Sequence, residues 1–180
     1  MADPLILEKV TLLYVVEEDR IKLQGQTKGN DKITLWFTQR LFLRLIPMLI
    51  RHLDQRVDVE SDLPRKVSSP SQRAAMQSFL QDKAMAGRGA AAPVVIDDQP
   101  LIDQLVVTLD LSQQRRGVVL KFPVEGERLV ALPLTQDYIR HWLSVVYGLF
   151  VKASWPLDVW PEWVKEAHRR DAKPSLDQLH

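Results

Sequence analysis

The fold follows from two stretches of equal length, RIKLQGQTKGNDKITLWFTQ at residues 20–39 and GVVLKFPVEGERLVALPLTQ at residues 117–136. Each contains an alternating segment, a polar turn with a glycine, a second apolar or alternating segment and a final Thr-Gln pair. Alternation of apolar and polar residues is typical of a strand with one buried face, and glycine favours a chain reversal. Both stretches therefore predict an antiparallel hairpin that leads into a helix.

The similarity extends outward from these hairpins. Residues 4–54 align with residues 101–151 without a gap at a constant offset of 97. This pattern predicts an internal duplication of a strand–strand–strand–helix (βββα) unit. The expected strands are 5–16, 20–24 and 32–37 in the first copy and 105–111, 117–122 and 128–134 in the second. The identical pairs are Val10/Val107, Thr11/Thr108, Leu12/Leu109, Leu23/Leu120, Gly29/Gly126, Leu35/Leu132, Thr38/Thr135 and Gln39/Gln136.

A helix is predicted after the third strand of each copy. Thr38 and Thr135 are expected to cap these helices, because a threonine oxygen can accept a free amide of the first turn. An apolar stripe at three-to-four spacing should face the sheet in both. Pro47 lies inside the first helix and is expected to kink it. The predicted stripes are Leu41, Leu45, Met48, Leu49 and His52 or Leu53, and then Tyr138, Trp142, Val145, Val146 and Leu149 or Phe150.

These elements predict an α+β fold in one pseudo-symmetric domain, with an antiparallel, six-stranded sheet and helices packed on it. Residues 1–54 form the first repeat and residues 101–153 the second. Between them, residues 55–100 form a linker with an inserted helix near 70–85, where Ser69 and Gln72 match a capping box. Residues 154–180 form a C-terminal tail with a Trp-rich helix. The face of the inserted helix is expected to carry Ala75, Met76, Phe79, Leu80 and Lys83.

The composition excludes several classes of protein for this chain. The chain has 24 basic and 23 acidic residues, a net charge of +1 and no cysteine. The balanced charge makes a nucleic-acid partner unlikely, because such proteins concentrate Lys and Arg. A chain without cysteine cannot form disulfides and fits a reducing compartment, and no stretch reaches the ~18 apolar residues of a membrane span. We therefore expect a soluble, cytoplasmic protein with no membrane contact.

No catalytic, cofactor-binding or metal-binding residue can be assigned from the sequence, and no cofactor is expected. The four histidines are isolated, and a lone helical histidine is more often a packing residue than a catalyst. The acidic groups Glu17-Glu18-Asp19 and Asp97-Asp98 lack the spacing of a cation loop. The sequence thus favours a non-enzymatic protein.

A tryptophan cluster in the tail is the first candidate interaction site. Trp155, Trp160 and Trp163 fall within nine residues, and the chain has five tryptophans in all. Tryptophan is enriched where proteins meet, so the cluster could anchor a partner. The favoured alternative is a structural role, in which the three indoles cover the sheet or the helix pair.

Arg115 and Arg116 form the second candidate interaction site. They lie in the first turn of the second copy, and the first copy has Glu18 and Asp19 at the equivalent positions. Opposite charges at the two turns permit a charge-steered contact between tips or between subunits. A solvated hairpin tip is the simpler interpretation.

Three functional hypotheses follow. The leading one is a non-enzymatic interaction or binding module that forms a homodimer, because the first strand is apolar on both faces and both must be covered; a small-molecule ligand is unknown. The alternative is a nucleic-acid-binding protein that uses the polar sheet face, with Trp36 as the stacking residue. The third is an enzyme with a cleft between the repeats. The cationic contacts of the alternative would be Arg20, Lys22, Lys32 and Lys121.

Overall fold

The computed structural model describes residues 3–60, 69–87 and 91–172, with the side chains of 58–60 left out. The described chain forms a sheet of seven strands and four helices. The strands are β1 (Leu5–Val15), β2 (Arg20–Thr27), β3 (Lys32–Phe37), β4 (Ile102–Leu105), β5 (Asp110–Gln114), β6 (Gly117–Val124) and β7 (Arg128–Thr135). The helices are α1 (Gln39–Glu60), α2 (Pro70–Ala86), α3 (Gln136–Ala153) and α4 (Glu162–Asp171).

The sheet is mixed, with the strand order β4-β3-β2-β1-β7-β6-β5. Each hairpin is antiparallel, as predicted, whereas β1 pairs with β7 and β3 with β4 in parallel. The prediction of a purely antiparallel, six-stranded sheet is therefore wrong. The α+β class and the packing of helices on the sheet are confirmed.

A broken strand explains the difference. The predicted strand over 105–111 is wrong, because its middle, residues 106–109, is not in a strand. β4 ends at Leu105 and β5 begins at Asp110, and they pair with β3 and β6 at opposite edges of the sheet. The β5–β6 loop contains only Arg115 and Arg116, whereas four residues, 16–19, join β1 to β2. The shorter loop moves the register of the second hairpin by two residues relative to the offset of 97. Alternation alone cannot locate such a break.

The sheet curls so strongly that its two edges approach each other. Seven strands about 4.8 Å apart would span about 29 Å if flat. Yet the chain passes from the end of β4 at Leu105 to the start of β5 at Asp110 in five steps, which reach at most about 18 Å. Curling also brings Phe37 of β3 within 5.5 Å of Phe122 of β6, ring centroid to ring centroid. The two halves of the sheet thus enclose a common core.

The parallel pairings are reciprocal. Leu5 and Ile6 of β1 pair with Val130 and Ala131 of β7. Residues 102 and 103 of β4 pair with residues 33 and 34 of β3, and every one of these numbers differs by 97 from its counterpart in the first set. The β2–β3 and β6–β7 hairpins also share one register at this offset. In both parallel pairs, therefore, one strand comes from residues 4–54 and the other from residues 101–151.

Helices α1 and α3 close the core. Thr38 and Thr135 cap them, since their Oγ1 atoms accept the backbone N–H groups of Leu41 and Tyr138, both at 3.3 Å. Most of the predicted stripes are buried, but three of their members are more than a third exposed, because each helix is turned slightly from the expected angle. These three are Met48 at 42 %, Tyr138 at 45 % and Val145 at 37 %.

Helix α2 has the predicted capping box at Ser69 and Gln72, but it packs against α3 and α4 through another face than expected. Its buried side chains are Gln77, Leu80, Gln81 and Ala84, whereas Phe79 is 61 % exposed. The face is polar because it meets a buried arginine on α3. Apolar periodicity could not identify it.

The segment after α2 covers part of the sheet face opposite the core. Val94 is buried, and its N–H donates to Thr11 Oγ1 of β1 at 2.8 Å. The N–H of Leu101 donates to the carbonyl of Lys32 at the start of β3. Part of the second apolar face of β1 is therefore covered by the linker, while Leu13 stays 41 % exposed.

Candidate interaction surface

The three tail tryptophans lie in the core of the chain itself. Trp155, Trp160 and Trp163 are only 6 %, 3 % and 6 % exposed. Trp155 and Trp160 pack edge-on against Phe150 of α3, with ring centroids 5.0 and 5.4 Å apart. Their packing corresponds to the structural alternative, and a partner would meet little of their surface. Burying one such side chain contributes a few kcal/mol.

Trp155 also holds the β1–β2 turn. Its Nε1–H and the Tyr14 hydroxyl both donate to Asp19 Oδ1 at 2.8 Å. These two hydrogen bonds, the one from Trp155 first, lower the pKa of Asp19. The same bond to Asp19 raises the pKa of Tyr14. Asp19 therefore fixes a turn to the segment that follows α3, rather than remaining only a solvated charge.

Arg115 and Arg116 are exposed at the tip of the β5–β6 hairpin. The carbonyl oxygen of Arg115 accepts a hydrogen bond from the guanidinium of Arg56 near the end of α1. The opposite tip, with Asp19, is bound to Trp155. In the described part of the chain, no hydrogen bond or ion pair joins the two tips. A contact between tips of different subunits stays a prediction.

The polar sheet face engages most of its own candidate groups. Trp36 Nε1 donates to Asp103 Oδ1 at 2.7 Å, and Lys22 Nζ lies 5.4 Å from the Trp36 ring centroid. Arg20 pairs with Glu18 at 3.6 Å. A base could stack on Trp36 only by competing with Lys22, so this surface is a poor stacking platform.

The outward face of α3 is covered around Arg140, while Tyr138, Val145 and Val151 stay more than a third exposed. Arg140 on this face is fully buried, and its guanidinium donates to Gln77 Oε1 of α2 at 2.6 Å. The Gln81 side chain donates to the Arg140 carbonyl at 3.0 Å, and the guanidinium carbon of Arg140 lies 5.5 Å from the Trp163 ring centroid on α4. A buried cation requires this kind of enclosure, because an unpaired one is costly.

The corresponding face of α1 is open to solvent. Leu43, which stands 97 positions before Arg140, is 36 % exposed, and Met48 is 42 % exposed. Arg40, Arg44 and Arg51 lie around them and are exposed. Within residues 3–60, 69–87 and 91–172, no hydrogen bond or ion pair engages the three guanidinium groups. We call these five residues the α1 face.

A shallow groove of ≈ 360 Å³ lies beside the α1 face, between α1 and the loop that precedes α4. It carries the carboxylates of Asp54 and Asp158 next to Arg51. Asp54 Oδ1 accepts a hydrogen bond from the Gln77 side chain at 2.7 Å. The groove is lined by Pro47, Ile50, Arg51, Asp54, Asp158, Val159, Trp160 and Pro161.

The α1 face was not among the sites expected from the sequence. Its signal was available, because Arg40, Arg44 and Arg51 recur at helical spacing on one side of α1. Exposed arginines on a helix are common, however, and only the uncovered position of α1 distinguishes these. Sequence alone could not show which of the two helices α2 and α4 would cover.

The remaining titratable groups do not converge in the described chain. Among the described residues, no three His, Asp or Glu side chains lie close enough together to hold a metal ion. His52 lies 3.0 Å from the Gln136 side chain, nitrogen to nitrogen, and His168 packs on Tyr147 with ring centroids 5.0 Å apart. These histidines take part in packing between elements.

Comparison with known proteins gives no assignment. The chain matches no protein-family model, no curated protein and no solved structure at a significant level. Among the described helices, none has both the length and the apolar character needed to cross a bilayer. Any function must therefore be argued from the surface itself.

Proposed function

We propose that this chain is a non-enzymatic interaction module that forms a homodimer through the α1 face. The carrying observation is that the α1 face combines Leu43 and Met48, both more than a third exposed, with three arginines that no hydrogen bond or ion pair engages among the described residues. On α3 the counterpart of Leu43 is Arg140, which α2 and α4 bury. Exposed apolar side chains with charged neighbours are typical of protein interfaces.

The size of the α1 face determines how strong a dimer we expect. From Arg40 to Asp54 the helix is about 21 Å long at 1.5 Å per residue. One helix face of that length buries less than the ~800 Å² per partner of a standard interface. We therefore expect a weak, reversible dimer with a dissociation constant on the order of 10–100 µM.

Sedimentation velocity and light scattering from about 1 to 500 µM test this proposal. The wild-type protein should approach the dimer mass at the upper end. The double variant Leu43→Glu/Met48→Glu should stay monomeric, because carboxylates would replace the apolar centre. Phe79→Glu is the matched control, since Phe79 is also an exposed apolar residue on a helix, at 61 %. A wild type that stays monomeric throughout contradicts the proposal.

We also propose that the two halves arose by duplication, with the repeat boundaries 1–54 and 101–153. The reciprocal pairing of Leu5 with Val130 and of Ile102 with Ile33 supports it, as do the two Thr caps. A cytoplasmic location is proposed with it, supported by the cysteine-free composition. An experimental structure in which residues 4–54 and 101–151 fail to superimpose would reject the duplication.

The other two hypotheses stay predictions. A nucleic-acid-binding role requires a salt-dependent mobility shift at low salt, and Lys22→Glu should abolish that shift if the face around Trp36 is responsible. An enzymatic role requires a cleft between the halves, where the described chain instead packs Phe37 against Phe122.

A further inference from the structure

Charge is divided along the α1 face and its surroundings. Arg40 and Arg44 lie toward the N-terminal end of α1, and Asp54 lies near the other end. Asp158 adds a second carboxylate there, because it lines the same groove as Asp54. Both carboxylates are exposed. One end of this surface is therefore cationic and the other is anionic.

We infer that two copies of this chain dock α1 against α1 in antiparallel orientation, about a twofold axis near Met48; the inference rests on the proposed function. A twofold contact buries the same patch on both copies, so the patch must complement itself. The antiparallel arrangement sets Arg40 of each copy against the carboxylates of the other, whereas Arg44 falls opposite residue 52, beside Arg51. A parallel arrangement would set arginine against arginine.

The groove gives this arrangement a place for an apolar side chain. Leu43 stands five residues before Met48, so about the twofold axis it falls opposite residue 53 of the second copy. The groove lies there, lined on the helix by Ile50 and Asp54. Its walls are largely apolar, with Pro47, Val159 and Pro161 contributing. Leu43 of each copy therefore enters the groove of the other copy.

One residue opposes the contact. About this axis Arg51 of each copy falls opposite residue 45 of the other copy, beside Arg44. Their repulsion limits the affinity. It fits the weak dimer that the small surface already implies.

A charge-exchange experiment tests the orientation. One variant carries Arg40→Glu and the other carries Asp54→Lys/Asp158→Lys. Each should dimerise at least ~10-fold more weakly than wild type, because like charges meet in its homodimer. An equimolar mixture should regain dimerisation, since both ends of the heterodimer then pair opposite charges. Sedimentation velocity with one variant fluorescently labelled measures this directly.

The controls separate the possible failures. Circular dichroism and thermal melting establish that each variant folds; if Asp54→Lys disturbs the bond from Gln77, Asp158→Lys alone replaces the second variant. A mixture that does not associate, while wild type dimerises and Leu43→Glu/Met48→Glu does not, rejects the antiparallel orientation and leaves the proposed function standing. A monomeric wild type overturns both, and the cationic α1 face would then suit a different, acidic protein.

Discussion

Helices α1 and α3 begin alike and end in different surroundings. Both start at a glutamine behind a capping threonine, 97 residues apart, and both bury an apolar stripe against the sheet. Outside, α3 lies under α2 and α4, and its Arg140 is fully buried. On α1 the equivalent position holds Leu43, which remains partly exposed. The inner faces thus build one core, and the outer faces are free to differ.

The difference between the two helices indicates which surface is available to a partner protein. Arg140, which α2 and α4 cover, stabilises the fold, because its guanidinium donates a hydrogen bond to Gln77 within the same chain. The three arginines of the α1 face make no such hydrogen bond within the described residues, so we expect their desolvation to come from a partner. Helices α2 and α4 pack on α3 around Arg140 and leave the α1 face exposed.

The largest change in stability is expected from a substitution that uncovers α3. Trp163→Ala should reduce the free energy of unfolding by about 3–5 kcal/mol, because it removes a large buried ring and uncovers Arg140. Met48→Ala on the uncovered helix should change it by less than about 0.5 kcal/mol. Urea denaturation followed by circular dichroism measures both. Similar losses for the two variants would mean that the faces of α1 and α3 do not differ as described.

A second comparison concerns the two hairpins. Gly117 at the start of β6 corresponds to Arg20 of β2 at the offset of 97. An added Cβ on Gly117 would lie 1.9 Å from the backbone oxygen of Leu134, so the backbone must shift. We expect Gly117→Ala to cost about 3 kcal/mol.

The matched variant is Arg20→Ala, which loses only an exposed ion pair with Glu18 and should cost less than about 1 kcal/mol. Thermal unfolding of the two proteins under one set of conditions gives the difference. Equal costs would show that Gly117 does not lie as close to the Leu134 backbone of β7 as described.

The smallest effect depends on pH. The pKa of Asp19 is lowered by its hydrogen bonds from Trp155 and Tyr14, so its contribution to stability is present above the unfolded pKa of about 3.9. That contribution is lost as the pH falls through the folded pKa. Melting temperatures measured from about pH 2 to 7 should fall less steeply for Asp19→Asn than for wild type.

Arg116→Gln, at the equivalent position of the other hairpin tip, provides the control. It removes no carboxylate and should leave the acid limb of the profile unchanged. A parallel fall in wild type and Asp19→Asn would show that Asp19 does not fasten its turn through the ionised carboxylate.

Local patterns in the sequence predicted the local elements. The hairpins around Gly29 and Gly126, the two threonine caps and the capping box at Ser69 are all present, because each depends on neighbouring residues. The pairing of β4 with β3 and of β1 with β7 depends on residues far apart in the chain. No alternation rule encodes which edge a four-residue strand will join.

The candidate surface was harder to predict than the fold. The tail tryptophans were a candidate interaction site because tryptophan is enriched at interfaces. Trp160, however, is only 3 % exposed. The predicted face of α2 did not include Gln77 and Gln81, and both are buried against α3. Burial of polar groups follows from the partner that satisfies them, which single-sequence periodicity cannot name.

The reciprocal edges have a consequence for synthesis on the ribosome. Leu5 and Ile6 are made more than a hundred residues before their strand partners Val130 and Ala131. Until then the leading end of β1 is an open edge, and open edges recruit other chains. Ile102 reaches β3 sooner, so the nascent protein seals one side first. During synthesis, Leu5 and Ile6 therefore wait longer for their parallel partner strand than β3 does.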